Sequence, residues 1–500
     1  MTRQIGLTPY DPELWLYRGR SLRLLGYPEL ALGDVYKARL LVEAVREKRS
    51  LFGVSVHALY TSKIRALHMT QPSWAALVAT LELLSARVEA VLQQLELQVW
   101  SELMEGLLAA NACADYLALS REAVERWPED EVFVSEMANA ESWFGQREDI
   151  LKLQLEEGEI SENQMSSTLN NGGVYPTMYP WMTVDMVGRD DRLVDTIRKE
   201  FEVGSKNSSV FRSTIRNDAN GEEFDVLGVQ ALQNIEADKT VLLDTTVASV
   251  TTSSDRCASC CNSLTEGFTN PCCAVRYCST ACSQLALTSF HPALCGKDFE
   301  FLYTAAASAT QTTDLSLDSL LLLRVLALSL HTSALHPLHT PLLSRLTPAY
   351  SDSALILFSF PSHIETPTRI LLALGINIFT TTSYDTWVLH TIRLRLQNNK
   401  HGQILDGDLL GTAVNPLYSM LNHSCEPNVE WEHVGETSTV RCFARKRIEM
   451  GEELCISYVR PLDMGYKERQ RELMPWLGRE CGCVRCLSER PREMEVEIKA

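Results

Sequence analysis

Two stretches near the C-terminus decide the reading: Asn422-His423-Ser424-Cys425-Glu426-Pro427-Asn428 and Cys481-Gly482-Cys483-Val484-Arg485-Cys486. Together they hold four cysteines, and four thiolates can close a tetrahedral zinc site. Cys425 stands roughly 55 residues ahead of the Cys-x-Cys-x2-Cys cluster. A shared ion would therefore clamp the last segment back over the Asn-His-Ser-Cys loop. Between the two runs Gly451-Glu452-Glu453-Leu454-Cys455-Ile456-Ser457-Tyr458, an alternating apolar pattern that ends on a tyrosine.

This order of elements resembles the SET-domain protein lysine methyltransferases. The resemblance implies an S-adenosylmethionine cofactor and a protein substrate with a target lysine. It makes Tyr458 the catalytic tyrosine, which would align the lysine amine with the methyl group. Asn422 and His423 would contact the cofactor together with Tyr458, and Pro427 and Asn428 would lock the crossing of the loop beneath the strand. Cys425, Cys481, Cys483 and Cys486 would hold one zinc in a post-SET segment. Asn398, 24 residues before Asn422, falls where related proteins place another cofactor-contacting asparagine, with Asn399 as its rival. A Gly-x-Gly stretch opens the family's domain, and here only Gly228 is placed for it. Glycine at such a point lets backbone approach a ligand closely.

A second cysteine-rich region spans residues 257–295, with eight cysteines and a histidine. Eight ligands would fill two zinc sites, and the segment looks like a MYND finger. The resemblance pairs Cys257 and Cys260 with Cys278 and Cys282 on one ion. The second ion would take Cys272, Cys273, His291 and Cys295. The family has Cys-x2-Cys where this chain has adjacent Cys272 and Cys273, so Cys261 or a water is an alternative fourth ligand there. Zinc would drive the folding of so short and core-poor a segment. Binding of a proline-containing peptide is what the resemblance implies for the finger.

Composition agrees with a multidomain globular protein: 500 residues, 45% apolar and 22% charged. A formal charge of -18 argues against a nucleic-acid partner and suits a basic substrate. The 15 cysteines are clustered with metal spacing and the first residues lack the apolar run of a signal peptide, so a reducing compartment, nucleus and/or cytoplasm, is expected. The leucine-rich stretch Leu315 to Leu330 is broken by Asp318, Ser319 and Arg324, too short to span a membrane, and reads as a buried helix. Cys442 and Cys455 read as core.

The expected architecture is multidomain α+β. Residues 1–150 form a tetratricopeptide-like helical repeat for a partner protein, because Trp15, Gly19, Gly26, Ala31 and Ala38 occupy the spacings of a helical hairpin, with a weaker copy ending on Ala123 and Pro128. A linker follows over 151–222. The SET-type β fold of short strands and a pseudoknot then begins at 223–256, where residues 224–250 read as two strands joined by a turn. It is split by the zinc finger at 257–295 and a helical insert at 298–405, resumes over 406–460, and closes with the post-SET zinc segment at 461–487. A charged tail, 488–500, ends the chain. The alternative to an enzyme is a catalytically silent scaffold with the same fold, using finger and repeats to hold partners.

Overall fold

The computed structural model describes the chain except residues 1, 47–50, 69–78, 217–222, 266, 304–313, 349, 352–354, 406–407, 435–438, 461–462 and 491–500. Most of the expected tail therefore lies outside the described residues. Two compact units are present: residues 1–174 with 356–390, and residues 175–355 with 391–500.

The first unit is helical. Helix Pro12–Leu24 starts on an Asp11 cap with proline in its first turn, and ends at Gly26, whose φ of +87° lets the chain turn into helix Pro28–Ala44. The two helices pack so closely that a Cβ on Gly19 would lie 2.5 Å from Val35 Cγ2. Helices Ala79–Ala109, Cys113–Arg126 and Glu131–Glu156 continue the array. The segment 356–390 adds Asp385, whose carboxylate receives Arg18 at 2.8 Å and Lys37 at 2.5 Å, with Asp34 also on Arg18. Asp34, Lys37 and Asp385 are buried and Arg18 is partly so, and they persist only because each is paired.

The second unit carries short strands, which outside the cysteine-rich finger are, in chain order, β1 Ser208–Arg216, β2 Glu223–Ala231, β3 Thr240–Thr245, β4 Ala248–Thr251, β5 Lys400–Leu405, β6 Asp408–Val414, β7 Asn422–His423, β8 Val429–Val434, β9 Thr439–Ala444 and β10 Cys455–Ile456. β1 pairs antiparallel with β2, and β9 lies between β8 and β3. β6 lies between β4 and β5, and β7 runs parallel to β10. The core draws Val194, Ile197 and Phe201 from helix Asp191–Gly204 onto Val210, Val229, Leu242, Met420, Leu421 and Ile456. Helix Asp314–His331 buries Leu317, Leu320, Leu321 and Leu326, as its leucine content predicts. Among the described residues no helix is long and apolar enough to cross a membrane.

Two expectations change and one gains its pairing. The segment read as a linker holds helix Asp191–Gly204 and β1; its glycines and asparagines mask an amphipathic period, Val194, Ile197, Phe201, that the core takes up. The two strands read over 224–250 are present as β2 and β3, and each pairs outside that segment, β2 with β1 and β3 with β9. The stretch read as one helical insert is divided, residues 356–390 falling in the first unit and Lys400–Leu405 forming a sheet strand.

Candidate active site and metal centres

β7 is only two residues long, yet it brings Asn422 and His423 beside Cys455 and Ile456 of β10. Asn428 makes this possible. Its Nδ2 donates to Glu453 O (2.8 Å) and Glu452 Oε1 (3.0 Å), and its Oδ1 accepts from Cys455 N–H (2.8 Å). The same strap pairs with β2: Leu454 N–H donates to Val229 O at 2.7 Å and Ala231 N–H to Glu452 O at 2.9 Å. Gly451, at φ +85°, turns the chain into it.

Asn422 Nδ2 donates to Glu453 Oε1 (2.8 Å) and Leu227 O (3.2 Å). Gly228 lies beside these groups. A Cβ there would meet Glu453 Oε1 at 2.7 Å and the Phe211 ring at 2.8 Å. The glycine therefore answers to close approach rather than to unusual backbone torsion.

His423 is fixed at both nitrogens. Nδ1 accepts the Tyr458 N–H at 3.0 Å, so Nε2 carries the proton toward Cys425 Sγ at 3.2 Å. Burial, with Arg469 nearby, lowers its pKa to about 4, so it is neutral at pH 7. Tyr458 donates its hydroxyl proton to Leu421 O at 2.9 Å, and burial raises its pKa. The oxygen keeps lone pairs for another donor.

Asn398 donates to Thr347 O at 3.3 Å, while both amide protons of buried Asn399 go to Thr347 O and Arg395 O. Asn398 is thus the freer of the two.

Three groups of donor atoms gather within 4.8 Å: Cys257, Cys260, Cys278, Cys282; Cys272, Cys273, His291, Cys295; and Cys425, Cys481, Cys483, Cys486. A tetrahedral Zn–S bond of about 2.3 Å requires sulfurs about 3.8 Å apart. Cys278 and Cys282 stand at 3.7 Å, Cys260 and Cys278 at 3.5 Å, Cys425 and Cys486 at 3.4 Å. The donor chemistry and spacing fit zinc. Adjacent Cys272 and Cys273 both face His291 Nε2, and neither adopts positive φ. Tyr277 Oη lies 3.1 Å from His291 Nδ1, orienting the ring as an outer-shell partner orients a ligand. Cys261 joins neither set.

A SET-domain family model matches residues 132–459, about two-thirds of the chain. The chain belongs to the SET-domain family. The relatives it resembles include SET5 and SET-and-MYND proteins. It is 46% identical over 81 residues to the histone-lysine N-methyltransferase SET5 of Vanderwaltozyma polyspora, a match covering 16% of each chain. A SET and MYND domain-containing protein of Dictyostelium discoideum is 35% identical over 83 residues, 17% of this chain and 16% of that protein. The protein-lysine N-methyltransferase SMYD4 of Homo sapiens is 36% identical over 84 residues, 17% of this chain and 10% of that protein. The matched stretches thus cover about a sixth or less of these relatives' own lengths.

SET methyltransferases use S-adenosylmethionine, and the polar groups of Asn422, His423 and Tyr458, gathered where β7 meets β10, are of a kind that fits such a group. Two contributors were not singled out from sequence. Glu453 is visible in Gly-Glu-Glu-Leu, but its grip on Asn422 needs the pairing of residues 451–454 with β2. Arg469, 1% exposed, sets Nη2 3.8 Å from Cys486 Sγ and 2.5 Å from Glu489 Oε2. A guanidinium there would offset part of the negative charge of four thiolates on a metal, and no local sequence signal announces it.

Proposed function

We propose that this chain is an S-adenosylmethionine-dependent protein lysine N-methyltransferase acting on histone or other protein lysines. The observation that carries the proposal is the fastening of Tyr458 to the cofactor-side strand: its hydroxyl on Leu421 O, its N–H on His423 Nδ1, with Asn422 next in line. Bound S-adenosylmethionine would supply an electrophilic sulfonium methyl. Asn422, His423 and Tyr458 would hold the cofactor, with Gly228 and Asn398 as further contacts.

The incoming lysine must lose a proton from an amine whose ordinary pKa is about 10.4. Buried surroundings at Tyr458 disfavour the ammonium by desolvation, and the Tyr458 oxygen, its own proton committed to Leu421, accepts from the amine and aims its lone pair.

Finer features belong to the same proposal. The SET fold, with a pseudoknot where β7 meets β10, is split by a MYND finger holding two zinc ions and a helical insert, and is closed by one post-SET zinc. The N-terminal helices act as tetratricopeptide-like repeats for a partner, and the finger takes a proline-containing peptide. Clustered, unpaired cysteines support residence in nucleus and/or cytoplasm.

The test is calorimetric binding of S-adenosylmethionine to the zinc-loaded protein, followed by methyl transfer to histone with Tyr458→Phe as control. Binding lost in Asn422→Ala and transfer lost in Tyr458→Phe are expected. No binding by folded, zinc-replete wild type sinks the enzyme and leaves the silent scaffold.

A further inference from the structure

A group of four arginines in the second unit carries more positive charge than its surroundings answer. Arg345 is answered by Glu200 at 2.7 Å, and Arg212 by Asp191 at 3.3 Å. Arg395, 3% exposed, spends its Nη donors on the carbonyls of Leu338, Leu343 and Met186, and its Nε, like that of Arg345, has no partner. Arg189, like Arg395, has no carboxylate, but it is only half-buried and its Nη1 meets no oxygen. Its Nη2 donates to Thr347 Oγ1 at 2.7 Å, its Nη1 stands 4.0 Å from Met420 Sδ, and its Nε is shielded from solvent with no partner. Among the described residues no carboxylate pairs with it.

Its position gives the surplus a meaning. Met420 is two residues before Asn422, and Thr347 is the residue whose carbonyl receives the Asn398 amide. The Arg189 carbonyl accepts from Arg212 Nη2 at 2.8 Å, which ties its backbone to β1. The guanidinium is therefore held between the Asn422 loop and the Asn398 contact, with donors to spare.

We infer that Arg189 is a binding residue for the carboxylate of the cofactor's amino-acid end, a carboxylate that the bidentate guanidinium geometry suits. This inference rests on the methyltransferase reading of the site. A half-buried cation with a shielded Nε and no counter-charge is costly and favours an anion beside it. Burial and the nearby Arg395 and Arg212 lower the Arg189 pKa to about 10, the direction expected of a cation lacking its anion.

The experiment compares S-adenosylmethionine with its decarboxylated analogue, titrated calorimetrically into zinc-loaded wild type, Arg189→Met and Arg189→Lys. Wild type should prefer the carboxylate ligand by about tenfold or more, the scale of a charge-assisted pair. Arg189→Met should bring the two ligands to near equality by weakening only S-adenosylmethionine, and Arg189→Lys should restore part of the preference. Wild type that binds both ligands alike overturns the inference and leaves the methyltransferase reading intact. An equal loss for both ligands in Arg189→Met and Arg189→Lys also overturns it. Wild type that binds neither ligand overturns that reading and the inference with it. Should Arg189→Met not fold, the wild-type ratio and the lysine variant decide.

Discussion

Replacing Asn428 by alanine tests whether one side chain holds the candidate site together. Asn428 is 5% exposed and makes three hydrogen bonds, two as donor to Glu452 and Glu453 and one as acceptor from Cys455 N–H. Alanine would strand the Cys455 N–H and the Glu453 carbonyl. A buried group left unpaired costs about 1–3 kcal/mol. Because water would recover part of the solvent-facing Glu452 contact, the net loss should be about 2–4 kcal/mol. The damage should be local: the Cys455 amide leads the strand that lies beside Asn422, so its opening frees the parallel pairing of β7 with β10. Hydrogen exchange of the peptide containing Cys455 is the direct assay. About 2 kcal/mol of lost protection is roughly a thirtyfold faster exchange, and S-adenosylmethionine binding should weaken alongside. Asn428→Asp should lose at least as much stability at pH 8, since it sets a carboxylate against the Glu452 carboxylate and the Glu453 carbonyl. Unchanged Cys455 exchange in a folded Asn428→Ala protein would refute the reasoning, because the crossing would then be held by something other than this amide.

Gly228→Ala places a methyl 2.7 Å from Glu453 Oε1; stability should fall by about 1–3 kcal/mol through overpacking and cofactor affinity with it, as urea unfolding and calorimetry would show, whereas an unaffected affinity removes Gly228 from the site. Asp385→Ala strands Arg18 and Lys37 in the first unit and should cost about 3–5 kcal/mol, read by urea unfolding; a loss below about 1 kcal/mol means water replaces the carboxylate. Asp244, which accepts the N–H groups of Leu417 and Tyr418 at 2.8 Å each, has its pKa raised to about 6, chiefly by burial. The folded protein holds that proton where the unfolded chain, near 3.8, has lost it, so the stability of wild type relative to Asp244→Asn should be highest near pH 4, fall as pH rises to about 6, and stay flat above. A difference between the two proteins that is constant over that window contradicts the shift. Chelation of zinc should release the segment carrying Cys481, Cys483 and Cys486, lowering both stability and methyl transfer; undiminished transfer by metal-stripped protein would remove the clamp from the mechanism.

What could be read from sequence was whatever depends on residues close together along the chain. The spacing of Cys481, Cys483 and Cys486 is a ligand geometry in itself, and the Asn-His-Ser-Cys-x-Pro-Asn run contains both the strand and the amide that locks it. Helix-hairpin signals such as Gly19 and Gly26 are equally local, one a close approach and the other a left-handed turn. The failures share the opposite property. Helix Asp191–Gly204 was hidden because its glycine- and asparagine-rich neighbours looked like linker, while its apolar face matters only through a core assembled from Val229, Leu242 and Met420. The segment 356–390 reads as helical either way; its membership of the first unit depends on Asp385 meeting Arg18 and Lys37 and on Thr386 packing over Gly33, pairings more than 340 residues apart that leave no periodic trace.

The functional consequence is an asymmetry between ligands and supports. Residues that touch metal or cofactor are constrained in type by chemistry and in spacing by coordination, so they announce themselves. Supporting residues, such as Glu453 holding Asn422 or Arg469 beside Cys486, are constrained only in where their tips arrive, and many chain positions could deliver the same tip. Arg189 belongs to this second kind by sequence and to the first by inference: it reaches the loop before Asn422 from a segment that no motif marks. Its place is what exposes it: Arg395 also lacks a carboxylate but is 3% exposed and spends both Nη groups on backbone carbonyls, whereas half-buried Arg189 lies beside the loop before Asn422 with its Nη1 on no oxygen.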